Sequence, residues 1–322
     1  MPSEPSLAGR LRALRRDAGL TQAALGQALG VSVPLISSWE TGTAPPEHRL
    51  EAYARFFGRD GDRYEQLRAE LLSLHAGGPA TEPAHPLRFP PHQSITIVCS
   101  KLPEQRRAAF GSPDPADADH IAAYRYADLD ALIELLPALV ALNPGTPIRY
   151  GTADEVTPAD LSAHLVTLGG VDWNRVTAAL IHHLDRVPVT QLTREADHDT
   201  GGFLVGAEGR RLTPRVVHTP GGSLLVEDVA HFLRAPNPYN RQRTLTVFNG
   251  SHSRGTCGIV RSLCDPEIRQ RNADLIARRF PGADTYSIIC RVRLVADQII
   301  VPDWTVADDR LHEWPPPTSA IS

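Results

Sequence analysis

The chain is short of most features that assign a protein quickly. Its 322 residues include four cysteines, and no two are spaced as a CxxC pair. HExxH is missing too, so no metal site is expected. GxGxxG, GxxxxGK[ST] and GxSxG do not occur, which removes the dinucleotide fingerprint, the P-loop and the nucleophile elbow. We therefore expect no cofactor and no catalytic set. Neither charge sign dominates: the formal net charge is −4, so contact with a polyanion must come from a local patch. Long apolar runs are also missing. "LDALIELLPALVAL" is broken by Asp130, Glu134 and Pro137 and falls short of the roughly 20 residues of a membrane span. The opening "MPSEPSLAGRLRALRR" has no signal-peptide core. The expectation is a cytoplasmic protein with no membrane contact and no internal repeat.

The cysteines fit that compartment. Cys99 and Cys290 sit in apolar strand-like runs and read as core. Cys257 and Cys264 lie on one expected helix, separated by roughly 10 Å of rise, too far for a disulfide. A redox role for Cys257 near a helix start is a minor expectation. His182 and His183 are adjacent in a helix and face different sides, so they do not share a metal.

What is present begins with helices. Leu7, Leu11, Leu14 and Ala18 form one amphipathic stripe. In "GLTQAALGQALGVSVPLISSWETG", Thr21 caps a second helix with Leu25, Ala28 and Leu29 inward, and Gly30 ends it. Ser32 caps a third, with Leu35, Ile36 and Trp39 inward and Gly42 as its stop. "PPEHRLEAYARFF" and "DRYEQLRAELLSL" give two more. Two short helices across a glycine turn make a helix-turn-helix arrangement.

Leu20, Thr21, Gln22, Leu25, Leu29, Gly30, Val31, Ser32, Ile36, Ser37, Trp39, Glu40 and Gly42 together resemble the Cro/CI-type, or xenobiotic-response-element, helix-turn-helix family of transcriptional regulators. The resemblance covers about the first quarter of the chain. It implies double-stranded DNA as partner, Gln22 on phosphate, and base reading from the third helix. The residues placed at DNA are Thr21, Gln22, Ser32, Val33, Pro34, Ser37, Ser38 and Thr41. The third helix departs from the pattern, because it holds none of the Arg, Lys, Asn or Gln that read bases through paired hydrogen bonds. Serine hydroxyls and a Val33 contact with a thymine methyl are left. Residues 1–75 carry nine basic and nine acidic residues, although Arg10, Arg12, Arg15 and Arg16 cluster and can meet phosphate. A weakly binding head that acts as a homodimer on two half-sites is expected.

The domains read as a helix-turn-helix head over 1–75, a Pro/Gly/Ala-rich linker over 76–93, an α/β domain over 94–314 and a flexible tail over 315–322. In the third segment, apolar strands alternate with helices, so a mostly parallel sheet is expected. "GGFLVGAEGRRLTPRVV" reads as a β-hairpin insertion, and "DTYSIICRVRL" with "QIIVPDW" as a closing antiparallel pair. The domain resembles the α/β sensor domains fused to Cro/CI-type heads.

Three loops fall at strand carboxyl ends, where open α/β sheets bind ligands: Ser100–Lys101, "GGVDWN" and "NGSHSRGT". The last two lead into helices, whose free N–H groups suit an anion. The expected ligand residues are Gly169, Gly170, Asp172, Asn174, Asn249, Gly250, Ser251, His252, Ser253, Arg254, Gly255 and Thr256. Arg254 would grip a phosphate or carboxylate, and Asp172 would accept from ribose-like hydroxyls. The reading is a regulator whose α/β domain senses a small anionic, nucleotide-like ligand and is not an enzyme. The alternative is an enzyme acting on a nucleotide-like substrate, with His252 as base and a DNA-binding head attached.

Overall fold

The computed structural model describes residues 7–43, 45–58, 61–75, 85–90, 93–110, 114–184, 186–194 and 201–316. They divide into two units, 1–82 and 83–322.

The first unit has five helices: α1 (Leu7–Asp17), α2 (Gln22–Leu29), α3 (Val33–Trp39), α4 (Glu47–Gly58) and α5 (Asp62–His75). Thr21 accepts the Ala24 N–H at 3.1 Å and so caps α2. Gly30 then turns the chain at φ 63°, a left-handed value that suits a residue without Cβ. Leu11, Leu25, Ile36, Trp39, Leu50, Tyr53, Ala54, Leu67 and Leu71 form the core. Two expectations need correction. Ser32 occupies the N-cap position of α3 but makes no capping bond with its side chain. Leu35 is not an inner residue, being 46% exposed. Ile36 and Trp39 fill the inward stripe, and at 3.6 residues per turn the side chain before Ile36 is rotated out of it.

The second unit is α/β. In chain order it contains β1 (Ile95–Cys99), α6 (Glu104–Arg107), α7 (Leu129–Leu142), β2 (Ile148–Thr152), α8 (Pro158–Leu161), β3 (His164–Leu168) and α9 (Arg175–His182). There follow β4 (Val189–Leu192), β5 (Gly202–Val205), β6 (Arg210–Leu212), β7 (Arg215–Thr219), β8 (Gly222–Asn237) and β9 (Asn240–Gly250). The chain ends with α10 (Ser253–Cys264), α11 (Arg269–Arg279), β10 (Tyr286–Val295), β11 (Gln298–Ile300) and β12 (Arg310–Trp314).

The parallel centre is β2-β1-β3-β9. β1 and β3 are buried along their whole length, as strands covered on both faces must be. Beyond β9 the sheet continues antiparallel through β8 and β10, with β7, β11 and β12 alongside. The expected hairpin is present as β5 and β6, which join the preceding β4 in a separate antiparallel sheet, but the end of the expected insertion forms β7, which pairs with β8 in the large sheet. The closing pair is β10 with β11.

The expected linker is too long at its carboxyl end. Leu87 is fully buried and Phe89 is 6% exposed, and both belong to the α/β core. Asn143 accepts the Phe89 N–H and donates to the Leu87 carbonyl, while Arg234 donates to that of Pro86. At the other end, Trp314 closes β12, and 317–322 of the expected tail lie outside the described residues.

Candidate functional site

The head presents α3 through a hub centred on Glu40. This carboxylate is 1% exposed and receives a two-pronged bond from Arg15, Nε to Oε1 at 2.6 Å and Nη2 to Oε2 at 2.8 Å. Arg15 Nη1 also donates to the Leu20 carbonyl at 2.8 Å, Gln22 Nε2 to Glu40 Oε2 at 3.0 Å, and Arg12 to the Glu40 carbonyl. Burial pushes the Glu40 carboxyl up, but the bonds from Arg15 and Gln22, with the charges of Arg15 and Arg12, hold it below its ordinary 4.5. The bond to Glu40 in turn raises Arg15. The hub locks α1, the start of α2 and the end of α3 together. Of the four arginines expected to meet phosphate, Arg12 and Arg15 serve Glu40 and Arg10 pairs with Glu70 at 2.7 Å, while Arg16 is exposed.

The remaining residues placed at DNA fall as follows. Val33 and Pro34 are exposed, Ser37 and Ser38 are half-buried, and Thr21 and Ser32 are exposed at the helix starts. The Thr41 hydroxyl lies 2.9 Å from the Ser37 carbonyl and 3.1 Å from that of Ser38. Glu40→Gln should cost the head about 3 kcal/mol, because the Arg15 guanidinium loses its buried charged partner. Hydrogen exchange of α1 and α3 amides in the full chain checks this; a loss under 1 kcal/mol would contradict the hub. The sign with pH follows from the lowered value. The Glu40 contribution is complete above its unfolded value of 4.5 and is lost as pH falls through the lower folded value.

In the α/β unit, the carboxyl ends of β1, β3 and β9 lie side by side: Ser100 N–H donates to Leu168 and Gly169 N–H to Phe248. They border a narrow cleft lined by Ser100, Asp128, Gly170, Asp172, Trp173, Gln191, Arg194, Gly250, Ser251, His252, Ser253 and Thr256. The strand-end loops thus converge as expected, but their chemistry differs from an anion cradle.

Two of the N–H groups at the start of α10 are filled from within. Asp228, fully buried on β8, accepts from Gly255 N at 2.7 Å and His252 N at 3.1 Å through Oδ2, and from Val229 N at 2.9 Å through Oδ1. The glycines make room for the protein's own side chains. A Cβ on Gly255 would stand 2.6 Å from Asp228 Oδ2. One on Gly169, whose φ is +89°, would collide with Ser100 and Asp128, and one on Gly170 with Gln191.

Of the expected ligand residues, one lies outside the cleft and three are bonded within the protein. Arg254 is exposed and lies outside the cleft lining. Asn174 is fully buried, caps α9 through Val176 N and Thr177 N, and donates to the carbonyls of Val98 and Leu168. Asn249 is fully buried and donates to Gln191 Oε1 at 2.7 Å. Asp172 accepts from Arg194 N at 3.1 Å and faces its Nε at 3.5 Å.

The cleft holds one more buried acid. Burial pushes the Asp128 carboxyl up, against hydrogen bonds from Ser100, Ser253 and Thr256 that pull it down. His252 Nδ1 lies 3.3 Å from Asp228 Oδ1, with the ring partly exposed in the cleft. Arg194 lies over the Trp173 ring at 5.3 Å. Asp128, Asp228, Gln191 and Arg194 were not singled out from the sequence. The available signals were an acid inside the apolar strand "VEDVAHF" and another just before a helix. Cys257 is 3% exposed and burial pushes its thiol up to about 11, which removes the thiolate a redox role requires.

Residues 6–67 match a family model described as a helix-turn-helix domain. The match lies within the first unit and stops short of the α/β unit. No curated protein matches the chain. Among the described residues, no helix is long and apolar enough to cross a membrane.

Proposed function

We propose that the protein is a sequence-specific DNA-binding transcriptional regulator of the Cro/CI type, working as a homodimer, whose α/β unit binds a small polar ligand that alters DNA binding. The observation that carries it is the α2–Gly30–α3 unit, locked by Glu40, within a matched helix-turn-helix domain. Two linked heads compensate for the weak polar readout of α3, since the second half-site is then met at high local concentration.

The chemistry of the cleft moves the ligand class away from the anion read from the sequence. Asp228 occupies N–H groups of His252 and Gly255 at the helix start, and Arg194 is shared with Asp172. The hydroxyls of Ser100, Ser253 and Thr256 and the amide of Gln191 line the cleft, and their chemistry suits a small neutral molecule that carries hydroxyls.

A second reading rests on His252, held by buried Asp228 at the edge of the cleft that Asp128 also lines. This pairing suits general acid–base work on the same class of molecule. Calorimetry of the full chain with a panel of nucleosides and monosaccharides, with product analysis of the same samples, separates the two. A sensor gives binding heat and no product, and His252→Ala shifts affinity by less than about tenfold. An enzyme gives product that falls about 10²- to 10⁴-fold in His252→Ala. No heat with any member of the panel would overturn the ligand assignment.

A further inference from the structure

We propose that α3 reads its DNA through the C5-methyl groups of thymine, with Val33 and Leu35 as the contact residues. The proposal rests on the DNA-binding reading above and says what kind of site the head selects.

The first turn of α3 is Val33–Pro34–Leu35, with Val33 43% and Leu35 46% exposed and Pro34 exposed between them. Ile36 and Trp39 already fill the inward face, so neither exposed side chain is needed by the core. In a helix-turn-helix domain this turn meets the base edges of the major groove. Nothing in it can make the paired hydrogen bonds by which Arg, Lys, Asn and Gln recognise bases. Proline at the second position adds no N–H.

Four donors next to α3 are engaged with the protein itself. Arg12, Arg15 and Gln22 bond Glu40, and the Thr41 hydroxyl bonds the helix backbone. The head therefore presents two branched aliphatic side chains where it would ordinarily present donors. The one apolar group that projects into the major groove for them to cover is the methyl of thymine; cytosine has only a hydrogen at that position, and the remaining groups that distinguish the bases there are hydrogen-bond donors or acceptors. Placing Val33 or Leu35 against a donor or acceptor would strip it of water without replacement, which penalises the wrong base. Favourable burial of the methyl and this penalty both select thymine.

The experiment uses the full chain. A duplex is selected from a randomised pool, and each thymine in it is replaced in turn by deoxyuridine. This keeps O4 and the pairing edge and removes only the methyl. Fluorescence anisotropy then gives the affinity of each duplex for the native chain and for Val33→Ala, Leu35→Ala and the double variant. Each contacted methyl should be worth about fourfold in affinity, from about 0.8 kcal/mol per buried methyl-sized group. The penalty at a given position should vanish in the variant that lacks its contact residue. Both residues are exposed, so the variants should keep the native far-UV circular dichroism.

Less than a twofold effect of deoxyuridine at every position would overturn the proposal and leave DNA binding standing. So would a penalty that persists in the double variant. A change in oligomeric state of the double variant, with the deoxyuridine penalty intact, would assign the two residues to a protein contact instead. Failure to select any duplex would remove the DNA-binding reading, and this proposal with it.

Discussion

Replacing Asp228 with alanine should cost the α/β unit about 3–5 kcal/mol, a large part of the stability of an ordinary domain. The reason is the number of groups that converge on one carboxylate. The N–H groups of Val229, His252 and Gly255 all end on it, and in the alanine variant they would be left unpaired in a buried site. Each orphaned donor costs about 1–3 kcal/mol. The first turn of α10 would lose its anchor to β8, and the His252 ring its orienting partner. Asp228→Asn should fall between wild type and alanine, because one oxygen still accepts while the amide N–H₂ faces donors. Gly255→Ala tests the same packing from the other side, since its Cβ would stand 2.6 Å from the carboxylate. Urea unfolding followed by circular dichroism is the measurement. A loss below 1 kcal/mol in Asp228→Ala would mean that the helix start does not depend on this carboxylate.

Acid should destabilise the α/β unit steeply, well above the range where ordinary carboxylates titrate. Burial pushes His85 and His164 down to about 4 and His231 down to about 3, from an ordinary 6.5. His164 is closed in by Gln93 on one ring nitrogen and Thr244 on the other. His231 meets Ser287 through Nε2 at 2.9 Å. These rings fold neutral, so the unfolded chain holds more protons than the folded one below 6.5. Their contribution is complete above that value and is lost as pH falls toward the folded values. Three such groups give a slope of up to about 4 kcal/mol per pH unit. Asp128 works in the opposite direction. Its raised value makes the folded state hold a proton that the unfolded state releases, which offsets up to one of the three. Unfolding free energies from pH 7 to 4.5 should therefore fall by about 3 kcal/mol per unit at the steepest. In His164→Asn the slope should flatten by about 1.4 kcal/mol per unit. A wild-type slope below 1 kcal/mol per unit would contradict the burial of these rings.

The elements that sequence revealed are those with a local signature. Helix stripes with Thr21 and Gly30 at their ends, the apolar runs of β1 and β3, and the hairpin of β5 and β6 all follow from neighbouring residues. The placement of the strand-end loops followed from the alternation of strand and helix, and the cleft lies there. What was not legible depends on partners distant in sequence. Gly169, Gly170 and Gly255 look like residues that admit a ligand, and they admit Asp128, Gln191 and Asp228. Leu87 and Phe89 stand isolated among prolines, so no period marks them as core. Leu35 belongs to an apolar run, and only the crossing of α3 over the core decides which members face inward.

The central claim is that the helix-turn-helix head makes this chain a sequence-specific DNA-binding protein. Its most direct test is an anisotropy titration of the full chain onto a selected duplex and onto the same base composition scrambled, at one stated salt concentration. The account gives at least about 10³-fold tighter binding to the selected duplex, the lower end of specific recognition. Equal affinity for the two duplexes, or no binding to either, would contradict it.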